Sequence, residues 1–400
     1  MSTSTETLSA NVARQDAPST AVVLAAAVAC GAIVANLYYG QPLVDLIARD
    51  LAIAPSAASA VVALSQIGYA VGLILIAPLV DIFESRRLLT ITLGFAVAAL
   101  VVAALAPTGS VFLAAALLIG VSSVAAQMLL PLVAGMAPEA TRGRVVGTIM
   151  SGLLFGILLA RPVAGVVADF FGWRAVFALS AVLMAAVALM LRALMPSRRP
   201  EGGIGYGAFL ASMLDLWKTY PELRRRALYQ ATMFAAFSMF WTASPMRLSE
   251  GYGLSHSLIG LFALAGASGA LIAPVAGRLA DRGFTRPGTL LAISAVVIGF
   301  AGAAGDLWMG VAALLFGAVV LDMGVQANMI FGQRTIYGLN PAARGRINGL
   351  YVAVLFLGGA FGSSITSPLM TNFGWATTAL VGAALPFVAL LFALAERRKA

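Results

Sequence analysis

Between residues 19 and 396 the chain is a succession of long apolar runs, separated by short stretches that hold most of its charge. The runs fall at 19–46, 57–80, 87–106, 110–137, 143–170, 173–194, 223–249, 256–281, 286–304, 307–336, 345–370 and 375–396. A helix of ~20 apolar residues matches the hydrocarbon core of a bilayer. Transmembrane strands need only ~9–11 residues and strict alternation, so the twelve windows predict an all-α integral membrane protein. Composition agrees, with 61% of the 400 residues hydrophobic, 10% charged and a mean hydropathy of +0.96. A soluble domain carries roughly 25% charged residues. Twelve crossings use nearly the whole length and leave no sizeable soluble domain.

The net charge of +9 would suggest nucleic acid in a soluble protein. Here it reports topology, and no nucleic-acid partner is expected. With the N-terminus in the cytoplasm, 21 of the 25 Lys and Arg fall on the cytoplasmic side. Arg49, Arg161, Arg174 and Arg247 are left outside or within the membrane. The positive-inside rule therefore predicts an inner-membrane protein with both termini cytoplasmic. Residues 1–18 lack the basic start and short apolar core of a cleaved signal and read as a disordered cytoplasmic tail. Residues 195–222 open Pro196-Ser197-Arg198-Arg199-Pro200-Glu201-Gly202-Gly203 and continue with Leu210, Met213, Leu214 and Trp217 at helical spacing. They read as a cytoplasmic linker with a short interfacial helix. The linker separates an N-terminal six-helix bundle, 19–194, from a C-terminal bundle with a short basic tail, 223–400.

The halves repeat. Leu79-Val80-Asp81 returns as Leu279-Ala280-Asp281, Arg142-Gly143-Arg144 as Arg344-Gly345-Arg346, and Phe171-Gly172-Trp173 as Phe373-Gly374-Trp375. Each match falls at the same point of a six-helix unit, which indicates an internal duplication. Two such repeats about an axis along the membrane normal form one architecture of secondary transporters.

Several chemistries are excluded. Cys30 is the single cysteine and His256 the single histidine, so no disulfide, CxxC pair or zinc cluster is expected. Lys218 and Lys399 follow Trp217 and Arg398, which rules out a GxxxxGK[ST] phosphate loop and with it an ATP motor. No nucleophile with a base is apparent, so neither an enzyme nor a cofactor or metal site is expected.

The residues after the second window of each half resemble the major facilitator superfamily. Its signature G-x-L-a-D-[RK]-x-G-[RK]-[RK] is matched by Gly277-Arg278-Leu279-Ala280-Asp281-Arg282-Gly283 with Arg286. The first half keeps Asp81, Arg86 and Arg87 but has Ala77 and Glu84 where the motif has glycine. The resemblance covers the chain from the first window to 396 and implies two pseudo-symmetric six-helix bundles, the major facilitator fold. It also implies a cytoplasmic gate, in which Asp81 pairs with Arg142 and Asp281 with Arg344 when the transporter opens outward, and which breaks when it opens inward. The fifth window, with Gly152, Gly156, Ala160, Arg161, Pro162 and Gly165, is similar to the antiporter signature G-x3-G-P-x2-G-G. Arg161 stands where that signature has the glycine before proline, and Gly156 is one place out of register. The same residues also suit close helix packing. The whole is most similar to the twelve-helix drug and sugar efflux branch.

In that superfamily windows one, four, seven and ten line the central cavity. On window ten Asp322, Gln326 and Gln333 fall within ~40° of one another. Asp322 lies ~22 Å along its helix from the outer end. A charged Asp at a helix centre costs ~2.5–3.5 kcal/mol on insertion scales. Burial disfavours the charged carboxyl, so a residue kept there suits loading a proton from one side and releasing it to the other. A structural pair with Arg161 is the alternative role. Asp45, nearer the outer surface, is the second proton candidate. Window seven presents Gln230, Phe234, Phe237 and Trp241 on one face, window one offers Asn36, Tyr39 and Gln41, with Tyr38, and window four Gln127. Amides beside aromatic rings suit a small ring-bearing solute. The expected function is proton-coupled efflux of drug-like compounds, sugars or metabolites by alternating access, carried out by a monomer. Uptake or facilitated diffusion, and a non-transporting sensor or channel, are the other readings.

Overall fold

A computed structural model describes residues 18–197 and 205–396, apart from the side chains of Asp81, Ala140 and Leu307. Of the expected 1–18 tail only Pro18 is described. Every regular element among the described residues is a helix. The N-terminal half holds α1 (Thr20–Ala35), α2 (Val44–Asp50), α3 (Ala60–Leu75), α4 (Ser85–Ala104), α5 (Gly109–Ser123), α6 (Ala125–Ala134), α7 (Glu139–Phe171) and α8 (Trp173–Leu194). After α9 (Tyr206–Thr219) in the linker, the second half holds α10 (Pro221–Tyr252), α11 (His256–Phe262), α12 (Ala267–Asp281), α13 (Thr285–Ala303), α14 (Asp306–Met309), α15 (Val311–Ile336) and α16 (Arg344–Ala395).

Nine stretches among the described residues are long and apolar enough to cross a membrane. One of them, Pro341–Ala395, has 55 residues and turns at Gly374. Glycine tolerates the φ of +75° found there at no steric cost, so the stretch supplies the length of two crossings. α1 is shorter, and α10 is less apolar along its middle, where it carries Tyr229, Gln230, Thr232, Ser238, Trp241, Thr242 and Ser244; neither is among the nine. The set is consistent with twelve crossings in the major facilitator fold.

The first window is not a single rod. After Ala35 the chain turns through 36–40 into a 3₁₀ segment, Gln41–Leu43, and only then enters α2. Pro42 keeps an α-helix from running through this turn, because it has no backbone N–H to donate and its ring clashes with the carbonyl four residues earlier. The eighth window is likewise interrupted by a 3₁₀ turn, Ala263–Gly266, between α11 and α12. Both interruptions face the centre of the molecule, and both contribute to the site described below.

Small residues set the helix separations. A Cβ placed on Gly152 would lie 2.3 Å from the Ala27 carbonyl oxygen, and one on Gly156 2.2 Å from that of Gly31. Helix packing of α7 on α1 therefore accounts for these two glycines of the antiporter-like stripe. The halves meet where α7 crosses α11 and where α3 runs beside α16. α9 touches both halves, the Tyr206 hydroxyl donating to the Leu75 carbonyl at 2.9 Å and Arg346 donating to Ser212 Oγ at 2.8 Å. Arg225 and Arg286 both bind Glu396, so the end of the last helix lies beside the linker. This is the linker end of the bundle, and the opposite one is the far end.

Candidate functional site

The break after α1 brings Tyr38 and Gln41 against Arg161 of α7. Arg161 Nε donates to Gln41 Oε1 at 2.7 Å. Its guanidinium carbon lies 4.6 Å from the centre of the Trp241 ring, 5.0 Å from Tyr38 and 5.8 Å from Phe237. Cation–π attraction of this kind is worth more when desolvated, and Arg161 is 4% exposed. Behind the same indole, Trp241 Nε1 donates to Asp322 Oδ1 at 2.9 Å. A carboxylate and a guanidinium thus sit on one tryptophan without forming an ion pair, and they act on each other through space. Glycine at 266 makes room for this, since a Cβ there would meet Asp322 Oδ2 at 2.6 Å.

The aromatic wall continues along α10. Phe237 stacks on Phe234 at 5.0 Å, and Phe234 touches Phe356 of α16. Gln230 donates to the Val325 carbonyl at 3.3 Å and accepts from Asn328 at 2.7 Å, which ties α10 to α15. Gln326 lies beside Gly269 of α12. Asn36 accepts from Ser180 at 2.5 Å, Tyr39 is buried, and Gln127 hydrogen-bonds Tyr69. Asp45 is buried but pairs with the exposed Arg49 at 3.5 Å, away from Arg161.

Gln333 shares a helix face with Asp322 but not a site. Eleven residues further on, ~16 Å along the axis, it donates to Asn348 at 3.3 Å. The expected Asp281–Arg344 gate pair does not form. Asp281 binds Arg334 at 3.1 Å instead of Arg344, whose Nε donates to the Tyr337 carbonyl. Arg142 donates to the Ala137 carbonyl, and the Asp81 side chain lies outside the described residues. Arg86 lies 3.9 Å from Glu84, while Arg282 is exposed and Gly277 faces open space. Arg87 borders a groove with Leu79 and Ile91.

Sequence reasoning did not single out Gln66, Ser238 and Ser363. Gln66 donates to Ser238 at 2.8 Å and accepts from Ser363 at 3.4 Å, joining three helices just beyond the aromatic wall. An amide inside the second window was the available signal.

Residues 22–317 and 226–400 match the Major Facilitator Superfamily. The chain belongs to this superfamily. It is 40% identical over 377 residues to the "Putative uncharacterized transporter YgaY" of Escherichia coli (strain K12), covering 93% of this chain and 95% of that one. It is 33% identical over 365 residues to the "Probable transporter SCO4007" of Streptomyces coelicolor, covering 89% and 83%. Its fold is similar to that of the nucleoside transporter NupG, with a TM-score of 0.74 at 15% identity over 93% of this chain and 99% of that one. The protein is a multi-pass membrane transporter of the major facilitator type.

The two ends of this transporter differ. At the far end a Cβ on Gly165 would lie 2.1 Å from the His256 carbonyl oxygen, and one on Gly260 2.8 Å from that of Arg161. Asp169 accepts from the backbone N–H of His256 and of Ser257 and from the Ser257 hydroxyl at 2.6 Å, joining the end of α7 to the start of α11. Ser59 and Ser367 exchange backbone N–H to hydroxyl bonds at 2.9 and 3.3 Å. At the linker end Gly143 and Gly147 of α7, Gly277 of α12 and Gly345 of α16 have nothing within 4 Å of a built Cβ. Among the described residues, α7 with α11 and Ser59 with Ser367 join the halves at the far end, while these four glycines of the linker end face open space.

Proposed function

We propose that this protein is a proton-coupled secondary transporter of the bacterial inner membrane that exports small organic molecules by alternating access. Asp322 carries the proton, and the wall formed by Tyr38, Phe234, Phe237 and Trp241 with Gln41 and Gln230 receives the solute. The observation that carries this reading is a buried carboxyl held by one indole N–H, with the counter-charge that acts on it, Arg161, left outside ion-pair contact. A purely structural acid would be expected to close a hydrogen-bonded pair, because a buried charge without one is costly. Export follows the resemblance of the fifth window to antiporters, and the linker and both termini are cytoplasmic by the positive-inside rule. With that sidedness, contact between the halves at the far end and open space beside the linker-end glycines fit the inward-open state, in which the Asp281–Arg344 gate pair is released.

The sign of coupling follows from the charge of the solute. A cation in this wall competes with the proton for the same interior, whereas an anion is favoured by it. Growth-inhibition profiles of deletion and overexpression strains select a solute, and its pH-gradient-driven flux in liposomes is then compared between the wild type and Asp322→Asn. Coupled flux is expected to vanish in the variant while counterflow without a gradient persists. Undiminished coupled flux would remove Asp322 from the mechanism.

A further inference from the structure

The interior wall holds donors that no acceptor meets. Arg161 is 4% exposed and Gln41 0%. One hydrogen bond joins them, yet Arg161 Nη2 and Gln41 Nε2 are both buried without a partner. A guanidinium keeps its charge at any physiological pH, and leaving buried N–H groups unpaired is unfavourable. The neighbouring surfaces are the faces of Tyr38, Phe237 and Trp241. Asp322 does not fill the gap, because its Oδ1 accepts from Trp241 instead.

We infer that the solute is a small organic anion with a flat ring, whose carboxylate accepts from Arg161 Nη2 and Gln41 Nε2 while the ring lies in the aromatic wall. The inference rests on the proposed transport through this interior and names its substrate class. Two unpartnered donors on side chains joined by a hydrogen bond, one of them on a guanidinium, suit the two oxygens of a carboxylate. An amine or a neutral amide would leave the positive charge uncompensated.

A link to the proton follows. The titratable or charged groups that face Asp322 are Arg161 from α7 and Tyr38 from the turn after α1. Trp241 from α10 adds its N–H, and the turn before α12 adds the backbone at Gly266. With Asp322 ionised, its charge balances that of Arg161. With Asp322 protonated, Arg161 is an unbalanced buried cation, and an anionic solute restores neutrality. Anion binding and protonation of Asp322 therefore favour each other, so acid and proton cross together and export is driven by the acid's own outward gradient.

The test measures equilibrium binding to the full-length protein in lipid nanodiscs by tryptophan fluorescence, with Trp241 in the wall. The probes are benzoate, benzamide and benzylamine, which share a ring and differ in charge. Benzoate is expected to quench saturably, more tightly in acid than in alkaline buffer, and the other two at least about tenfold more weakly, since each tenfold is about 1.4 kcal/mol. Arg161→Gln is expected to weaken benzoate by about tenfold or more. Gln41→Glu tests the same point without disturbing shape, because its carboxylate satisfies Arg161 from within and excludes the ligand's. Asp322→Asn is expected to keep benzoate binding and abolish its pH dependence. Equal binding of the amide or amine, benzoate affinity indifferent to Gln41→Glu, pH dependence retained in Asp322→Asn, or no saturable quenching by millimolar benzoate would each overturn the inference. No gradient is present in this measurement, so loss of coupled flux bears on the transport reading and leaves the binding result standing.

Discussion

Gly165→Ala isolates the far-end closure from every other contact of α7. The new Cβ would stand 2.1 Å from the His256 carbonyl oxygen, where ordinary contact begins at 3.4 Å, and both groups are backbone-fixed. The two helices must part, and only the state in which they touch bears the strain. Overpacking of this kind costs about 1–3 kcal/mol, which converts to a shift of about 5- to 150-fold toward the state open at the far end. Because Cys30 is the single cysteine, Cys30→Ala gives a cysteine-free background. Ser363, 0% exposed and lying just inside the closure, is then replaced by cysteine as reporter. An impermeant thiol reagent applied from the far face is expected to label it faster by that factor in Gly165→Ala. Gly152→Ala is the control. Its Cβ meets the Ala27 carbonyl at 2.3 Å but lies within one half, so it lowers the thermal midpoint without accelerating labelling. Equal labelling rates in Gly165→Ala and its parent would refute the assignment of α7 and α11 as the far-end gate.

Asp169→Ala removes the acceptor of three hydrogen bonds at the start of α11. Loss of a cap costs about 1 kcal/mol, so the same labelling assay should show acceleration of about fivefold. Asp306→Ala breaks a pair in which Asp306 is fully buried and Arg247 only 26% exposed, at 2.6 Å. The expected loss is about 3 kcal/mol, at the low end for buried pairs, read as a fall in the thermal midpoint. Arg174 holds the Asp50 carboxyl below the usual carboxylate range, desolvation works against it, and Trp173 adds a second hydrogen bond. A depressed carboxyl contributes stability that is complete above its unfolded value of about 3.9 and is lost as pH falls through the folded one. Thermal midpoints recorded across that acid range should fall less steeply in Asp50→Asn than in the wild type.

The order of the crossings was legible because the bilayer imposes a length on each apolar run, and the superfamily because Gly277 to Gly283 and the repeated Arg-Gly-Arg survive as short motifs. Helical spacing on window seven placed Phe234, Phe237 and Trp241 on one face, and they lie together. The same spacing misled on window ten, where Gln333 shares a face with Asp322 but is separated from it along the axis. Periodicity fixes direction around a helix and says nothing about depth. What could not be read was the meeting of Gln41, Arg161 and Trp241, because it depends on the break after α1, and a break redirects side chains that an unbroken rod would point elsewhere. Pro42 and Gly40 were the local signal. The charges expected at the gate were visible as residues but their partners were not: Asp281 pairs with Arg334.

The two ends close by different physics. At the far end the contacts are backbone carbonyls against glycines, serine hydroxyls exchanging with backbone N–H, and one carboxylate capping a helix. Apart from the bonds to the Asp169 carboxylate they are short-range and neutral, so salt has little to screen. At the linker end the charges expected to gate include Asp281 and a set of arginines in exposed positions, where Asp281 and Arg334 are 70% and 59% exposed. Interactions between such charges fall off over ~10 Å at 0.1 M salt and faster at higher concentration. Raising ionic strength should therefore weaken closure of the linker end while leaving the far end unaffected, and so favour the state open at the linker end. With the Ser363→Cys reporter, labelling from the far face is expected to slow as salt rises. Labelling that quickens with salt would mean that the far end also depends on exposed charge, which its contacts do not provide.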